Sequence, residues 1–190
     1  MIITFDNNEV PLLLLIDIQK GFNLHDYWGN RNNIDAELKA SMILNKWRKL
    51  KRQLIHVQHC SDNRKSPLHE SHEGNQFMDI VKPIDGEEII QKSVNSAFIG
   101  TKLLEDLNKR NVKTLILVGL TTDHCVSTSA RMASNYGFKV FVVEDATATF
   151  DKETHNKQIF PAEIIHQTAL ASLNNEFATI VDTDFILNSI

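Results

Sequence analysis

The sequence predicts an α/β domain on a parallel sheet, from three observations. Continuous apolar runs alternate with longer amphipathic stretches, the pattern of strands buried on both faces by crossover helices. At 190 residues the chain has the length of one domain with a full core, so 1–190 reads as a single domain. Its composition, 42% hydrophobic and 23% charged with a net charge of -4, has neither the bias of a disordered chain nor that of a fibrous one.

The first strand falls at Leu12 to Ile18. The apolar run around it, Pro11 to Ile18, is far short of the ~20 residues that span a bilayer and contains Asp17, so it reads as a buried strand. Helical periodicity follows over Ile34 to Leu50, and the basic residues from Lys46 to Arg52 alternate with apolar ones like a solvated helix face. A second strand is expected at Gln53 to His59. The segment from Ser61 to Gly86 has little periodicity and carries His69 and His72; excursions of that length are usually functional or disordered. Phe77, Met78, Ile80 and Val81 favour a folded lid or an oligomer contact over a free tail. The later strands are placed at Glu88 to Gln91, Thr114 to Gly119, Lys139 to Val143 and Thr179 to Asp182. Helices fall at Gly100 to Asn111, Asp123 to Tyr136 and Ala162 to Leu173.

Composition also narrows partners and compartment. A mildly acidic chain with no Lys/Arg block lacks the electrostatic footprint of nucleic-acid binding. Two cysteines, Cys60 and Cys125, are too few for a disulfide framework, which fits a reducing, cytoplasmic setting. Asp6 and Glu9 stand where a signal peptide would be positive. No membrane partner is expected.

In an open parallel sheet, ligands bind outside the carboxyl ends of the strands. Asp17 lies near the end of the first strand, Lys92 just past the third, and Cys125 shortly after the fourth, inside Gly119-Leu120-Thr121-Thr122-Asp123-His124-Cys125-Val126. Each also has a structural reading: a free cysteine near a sheet is usually packing, and a lysine past a strand is usually a surface group. An ionised carboxylate in an apolar strand, by contrast, is costly without a partner. Together the three supply an acid, a cation and a thiol. Lys92 would hold the thiolate or polarise a substrate, and Asp17 would take the thiol proton and return it to a leaving amine. Thr122 or Asp123 is expected to cap a helix with Cys125 in its first turn. The backbone N–H groups of Thr121 and Cys125 are the expected oxyanion donors.

Phe22, Tyr27, Trp28, Phe77 and Phe150 are candidates to line an apolar substrate pocket, with His124, and less specifically His25, beside the proposed site. His166 reads as a satisfied structural histidine and Cys60 as buried.

These stretches resemble the isochorismatase-like cysteine hydrolases, which include nicotinamidases, carbamoylsarcosine amidases and isochorismatase itself. Leu14-Leu15-Ile16-Asp17-Ile18-Gln19 looks like the family's first strand and acid, and Lys92-Ser93-Val94-Asn95-Ser96-Ala97-Phe98 like its lysine segment. The Gly119 to Val126 stretch is similar to its nucleophile loop, and Glu144-Asp145-Ala146-Thr147-Ala148-Thr149 to the motif after its next strand. The resemblance implies a three-layer αβα sandwich with a mostly parallel six-stranded, Rossmann-like sheet, and a cis bond between Leu120 and Thr121. The implied reaction is thiolate attack on an amide-like carbonyl of a small molecule. A homodimer or homotetramer is also implied.

Nicotinamidases of this family hold a metal with an Asp-x-His pair after the second strand, whereas His56-Val57-Gln58-His59-Cys60-Ser61-Asp62 has none. His59, His69 and His72 are the remaining candidates, and no metal or other cofactor is expected. The segment from His59 to Phe77 and the stretch from Phe150 to His166 resemble a less characterised branch that includes a streptothricin-type lactam hydrolase. Two rival readings stay open: isochorismatase-type vinyl-ether hydrolysis, and a non-catalytic binding protein on the same fold.

Overall fold

The computed structural model describes residues 10–190; Asp6 and Glu9, which bear on the signal-peptide reading, lie outside the described residues. Strands β1 (Leu12–Ile16), β2 (Leu54–His59), β3 (Glu88–Lys92), β4 (Thr114–Leu120) and β5 (Lys139–Ala148) are followed by the short β6 (Lys152–Glu153) and β7 (Ile159–Phe160), and by β8 (Thr179–Val181). The helices are α1 (His25–Trp28), α2 (Ala36–Lys49), α3 (Leu103–Lys109), α4 (Ser127–Asn135), α5 (Ala162–Leu173) and α6 (Thr183–Asn188). Six strands form one sheet in the order β3-β2-β1-β4-β5-β8, every neighbouring pair parallel. β6 and β7 make a separate antiparallel ribbon.

Every residue of β1 is buried, so its alternating leucines feed two cores. Leu12, Leu14 and Ile16 pack with Leu103 and Leu107 of α3, Ala130 of α4 and Leu170 of α5. Leu13 and Leu15 pack with Ile43, Leu44 and Trp47 of α2 and Ile186 of α6. The result is a three-layer αβα sandwich, in which full burial of each such leucine is worth about 1.5–3 kcal/mol.

The chain builds outward from β1 through β2 to β3, then returns to pair β4 on the other side of β1. This reversal opens a crevice between the carboxyl ends of β1 and β4, where doubly wound sheets bind ligands. β1 stops at Ile16 rather than Ile18 because Asp17 takes a left-handed backbone conformation, φ 52°. β5 runs past Val143 to Ala148, since a register shift opposite β4 lets Thr147 and Ala148 pair with Gly119 and Leu120. The short elements α1, β6, β7 and α6 span too little sequence for periodicity to mark them.

The excursion between β2 and β3 is folded against the α2 side. Leu68, Met78 and Val81 are buried in that core, while the Lys20 N–H donates to the Gln76 carbonyl and the Met78 N–H to the Ile18 carbonyl. Among the described residues no helix is long and apolar enough to cross a membrane.

Candidate active site

The crevice depends on one glycine. Gly119, φ +119°, pairs with Ile16, and a Cβ there would lie 2.0 Å from the Ile16 carbonyl oxygen. Only glycine lets β4 approach β1 so closely. After Gly119 the Leu120–Thr121 peptide is cis, and Thr122–Val126 form a π-helical turn leading into α4.

Asp17, Lys92 and Cys125 meet here. Lys92 Nζ donates to Asp17 Oδ2 at 2.6 Å and lies 3.4 Å from Cys125 Sγ. Its other acceptors are His59 Nδ1 at 3.1 Å and the Val94 carbonyl at 3.2 Å. The Asp17 and Lys92 side chains are 0% exposed, so the ion pair holds in a medium where an unpaired charge would cost several kcal/mol. Asp17 Oδ1 has no hydrogen-bond partner. On the open side, Cys125 Sγ faces Oδ1 of the exposed Asn95 at 3.9 Å.

Electrostatics give the thiol a neutral resting form. Burial pushes the Cys125 thiol far above its ordinary value and the Asp17 charge adds to this, while the Lys92 ammonium pulls the other way. His59 is held below the usual histidine range by burial and then by the Lys92 charge, and in the neutral tautomer with the proton on Nε2 its Nδ1 accepts from the ammonium.

Around this centre lies a layer that reading the sequence had not singled out. The buried Gln19 side chain accepts from the His59 N–H at 2.8 Å and donates to the His59 carbonyl at 3.0 Å and the Asn75 carbonyl at 2.7 Å. Asn75 Nδ2 donates to the same His59 carbonyl at 2.9 Å and to the Leu68 carbonyl at 2.8 Å. These amides tie the excursion to the ends of β1 and β2. A glutamine two residues after Asp17, just past the end of the first apolar run, was the one signal available for this clamp.

The π-helical turn is held differently from the expected cap. Neither Thr122 nor Asp123 caps a helix through its side chain: Thr121 precedes the turn with no side-chain cap, and α4 begins only at Ser127. The Thr122 hydroxyl instead meets His166 Nδ1 at 2.9 Å, and His166 Nε2 lies 3.4 Å from Asn33 Nδ2. Asp123 is drawn off by the Thr149 hydroxyl, by Lys152 at 3.5 Å and by His124 at 3.4 Å. Tertiary partners on α5, on β6 and just past β5 thus replace local capping. His166, buried and bonded at both ring nitrogens, is structural. Cys60 is half-buried rather than buried, because its place at the start of the excursion leaves one side open.

The candidate histidines do not gather as one set: His69 and His72 lie with ring centroids 6.1 Å apart, and the group of donors that contains His59 includes neither. His69 bonds Ser71 and the exposed His72 bonds the Arg64 carbonyl. Among the described residues, only Asp17, His59 and Cys125 bring donor atoms together, within 4.8 Å of one another. The Lys92 ammonium lies within hydrogen-bonding reach of all three, so the cationic centre of that triangle is already supplied by the protein. These residues do not fit a metal ion.

Of the aromatic candidates, Phe22, Trp28 and Phe150 form a stacked trio with ring centroids 4.9 to 6.1 Å apart. Phe22 and Phe150 are buried in the α2-side core; Tyr27 is half exposed. The Phe77 ring sits edge-on to His56 at 5.6 Å, and the His124 side chain is 55% exposed. Thr121 is buried at the start of the turn that carries Cys125.

Comparison with known proteins places this geometry among relatives. The isochorismatase domain matches residues 11–185. The chain is 45% identical over 180 residues to the uncharacterised isochorismatase family protein YrdC of Bacillus subtilis (strain 168), covering 95% of this chain and 96% of that protein. It is 31% identical over 200 residues to nicotinamidase 3 of Arabidopsis thaliana, covering 97% and 90% of the two chains. A crystal structure of an isochorismatase-family protein from Chromobacterium violaceum ATCC 12472 superposes with a TM-score of 0.93 at 35% identity, over 98% of this chain and 96% of that one.

Proposed function

Since the chain belongs to the isochorismatase family of hydrolases, we propose that it cleaves a C–N bond of a small molecule, an amide, lactam or ureido group, through a Cys125 thioester. The observation that carries this reading is the single buried ammonium of Lys92, in hydrogen-bond reach of both the Asp17 carboxylate and the Cys125 sulfur.

The roles follow from charge. Substrate binding excludes water, and the Cys125 proton moves to Asp17, leaving a thiolate beside Lys92. The thiolate attacks the carbonyl carbon, and the oxyanion is met by the backbone N–H groups of Thr121 and Cys125. Collapse expels the nitrogen, which takes the proton from Asp17 and leaves as ammonia or an amine. A water molecule, deprotonated by Asp17, then attacks the thioester; the acid departs and the proton returns to sulfur. Tyr27 and His124 are the exposed members of the aromatic and histidine set proposed to meet the substrate, with the partly buried Trp28 and Phe77 as the apolar wall and the core residues Phe22 and Phe150 packed behind it. Kinship to a nicotinamidase supports an amide-type substrate.

The test is a screen of amides, lactams, ureas and isochorismate against wild type and Cys125→Ala, with and without chelator. Release of ammonia or amine that disappears in Cys125→Ala supports the reading. Isochorismate turnover surviving that substitution would replace it with vinyl-ether hydrolysis.

A further inference from the structure

Four acceptors surround one ammonium. Lys92 Nζ has Asp17 Oδ2, His59 Nδ1, the Val94 carbonyl and Cys125 Sγ at 2.6, 3.1, 3.2 and 3.4 Å, but an ammonium carries only three N–H groups. The acceptors differ in kind. Asp17 and Cys125 exchange a negative charge when the thiol proton moves between them, so their claim on the ammonium alternates. The Val94 carbonyl and the neutral His59 imidazole keep the same charge throughout.

We propose that His59 is a positioning residue which, with the Val94 carbonyl, anchors two ammonium hydrogens of Lys92 and leaves the third to pass between Asp17 Oδ2 and Cys125 Sγ. This deepens the cysteine-hydrolase reading and rests on it. The alternative that His59 prevents is visible in the site: Asp17 Oδ1 is buried and makes no hydrogen bond of good geometry, with only the Cys125 thiol bearing on the carboxylate besides Lys92. An ammonium released from His59 is free to turn a second hydrogen onto that oxygen and chelate the carboxylate. Asp17 would then be a weaker base, and Lys92 would be drawn away from the sulfur.

His59 is built to hold its place. Its N–H and carbonyl are both bonded by the Gln19 side chain, and Asn75 bonds the carbonyl again. Charged or titratable groups act on it from each adjoining segment: Asp17 after β1, Lys92 at the end of β3, Asp62 after β2 and Cys125 in the π-helical turn.

Two substitutions separate the acceptor from the bulk of the ring. His59→Leu removes the acceptor, whereas His59→Asn keeps an oxygen at the δ position that Nδ1 occupies. Alkylation of Cys125 by iodoacetamide is followed on its own peptide by mass spectrometry across about pH 7 to 9, below the raised value of this thiol, where the rate scales with the thiolate fraction. In His59→Leu the rate at pH 8 falls about tenfold, equivalent to one unit of upward shift in the thiol, and His59→Asn recovers most of it. On a turned-over substrate kcat falls in the leucine variant while KM holds. Alkylation in His59→Leu equal to wild type, or as slow in His59→Asn as in His59→Leu, overturns the proposal. Should the leucine variant not fold, His59→Ala takes its place in the comparison. Alkylation needs no substrate, so failure to hydrolyse any C–N compound would count against the proposed function without deciding this result.

Discussion

Lys92 Nζ stands 2.6 Å from Asp17 Oδ2 with both side chains wholly withdrawn from solvent. Two residues 75 apart in the chain are thereby bound in a pair whose halves cannot be separated cheaply. Lys92→Met leaves Asp17 as an uncompensated buried charge and is expected to cost about 3–5 kcal/mol of stability. The double variant Asp17→Asn with Lys92→Met regains a large part of that loss. Denaturant titration of the three proteins measures the difference, and a double variant no more stable than the single one would contradict it.

Gly119→Ala is expected to be the most damaging single methyl addition in the chain. The new Cβ meets the Ile16 carbonyl at 2.0 Å, and a backbone atom within a paired strand has no room to withdraw. A loss above about 3 kcal/mol, or failure to recover soluble protein, follows from strain at a positive φ together with overpacking. A melting temperature within a few degrees of wild type would show that β1 and β4 part more easily than their register implies.

Acid sensitivity should centre on Glu87. Burial opposes its charge, yet hydrogen bonds from Arg48, the Ile84 N–H and His56 hold its carboxyl at about 2. Its folded value lies below the unfolded one, so the stabilisation is complete above about pH 4.5 and is lost as pH falls toward about 2. Glu87→Gln is expected to be less stable at pH 7 by about 2 kcal/mol, discounted from the full shift for residual solvent contact. The gap to wild type closes over that acid window. Urea midpoints for both proteins from pH 7 downward check this; a gap independent of pH would assign the loss to packing instead.

Gln19→Leu removes three hydrogen bonds, two to the peptide groups of His59 and one to the Asn75 carbonyl. The His59 carbonyl keeps its bond from Asn75 and the Asn75 carbonyl keeps one from Gln58, so the loss falls on the His59 N–H, which costs about 1–3 kcal/mol where water cannot replace the amide. Hydrogen exchange should rise in residues 60–80 while β4 and β5 stay protected. Unchanged exchange in that segment would mean that Asn75 alone holds it.

The layering was legible because its signal is local. Runs such as Leu12 to Ile16 and Leu115 to Leu120 carry no polar side chain, which suits a strand covered on both faces. Asp17, Lys92 and Cys125 were legible for a related reason: strand ends in a parallel sheet face one edge, so polar residues there are neighbours before any contact is known. The cap expected on the Cys125 turn does not form, because His166 on α5 and Thr149 just past β5 offer Thr122 and Asp123 better partners than their own backbone does.

The sequence by itself determined the αβα layers, the parallel sheet and the edge on which an acid, a cation and a thiol gather. Tertiary structure alone decided that the ammonium of Lys92 fills the space between them, that His59 turns inward to share it, and that Gln19 and Asn75 pin His59 in place. The physical reason is distance along the chain. Lys92 lies 33 residues from both His59 and Cys125, and Gln19 lies 40 from His59. Contacts that remote are set by strand register and by which side of β2 a residue faces, and neither is written in the neighbouring amino acids.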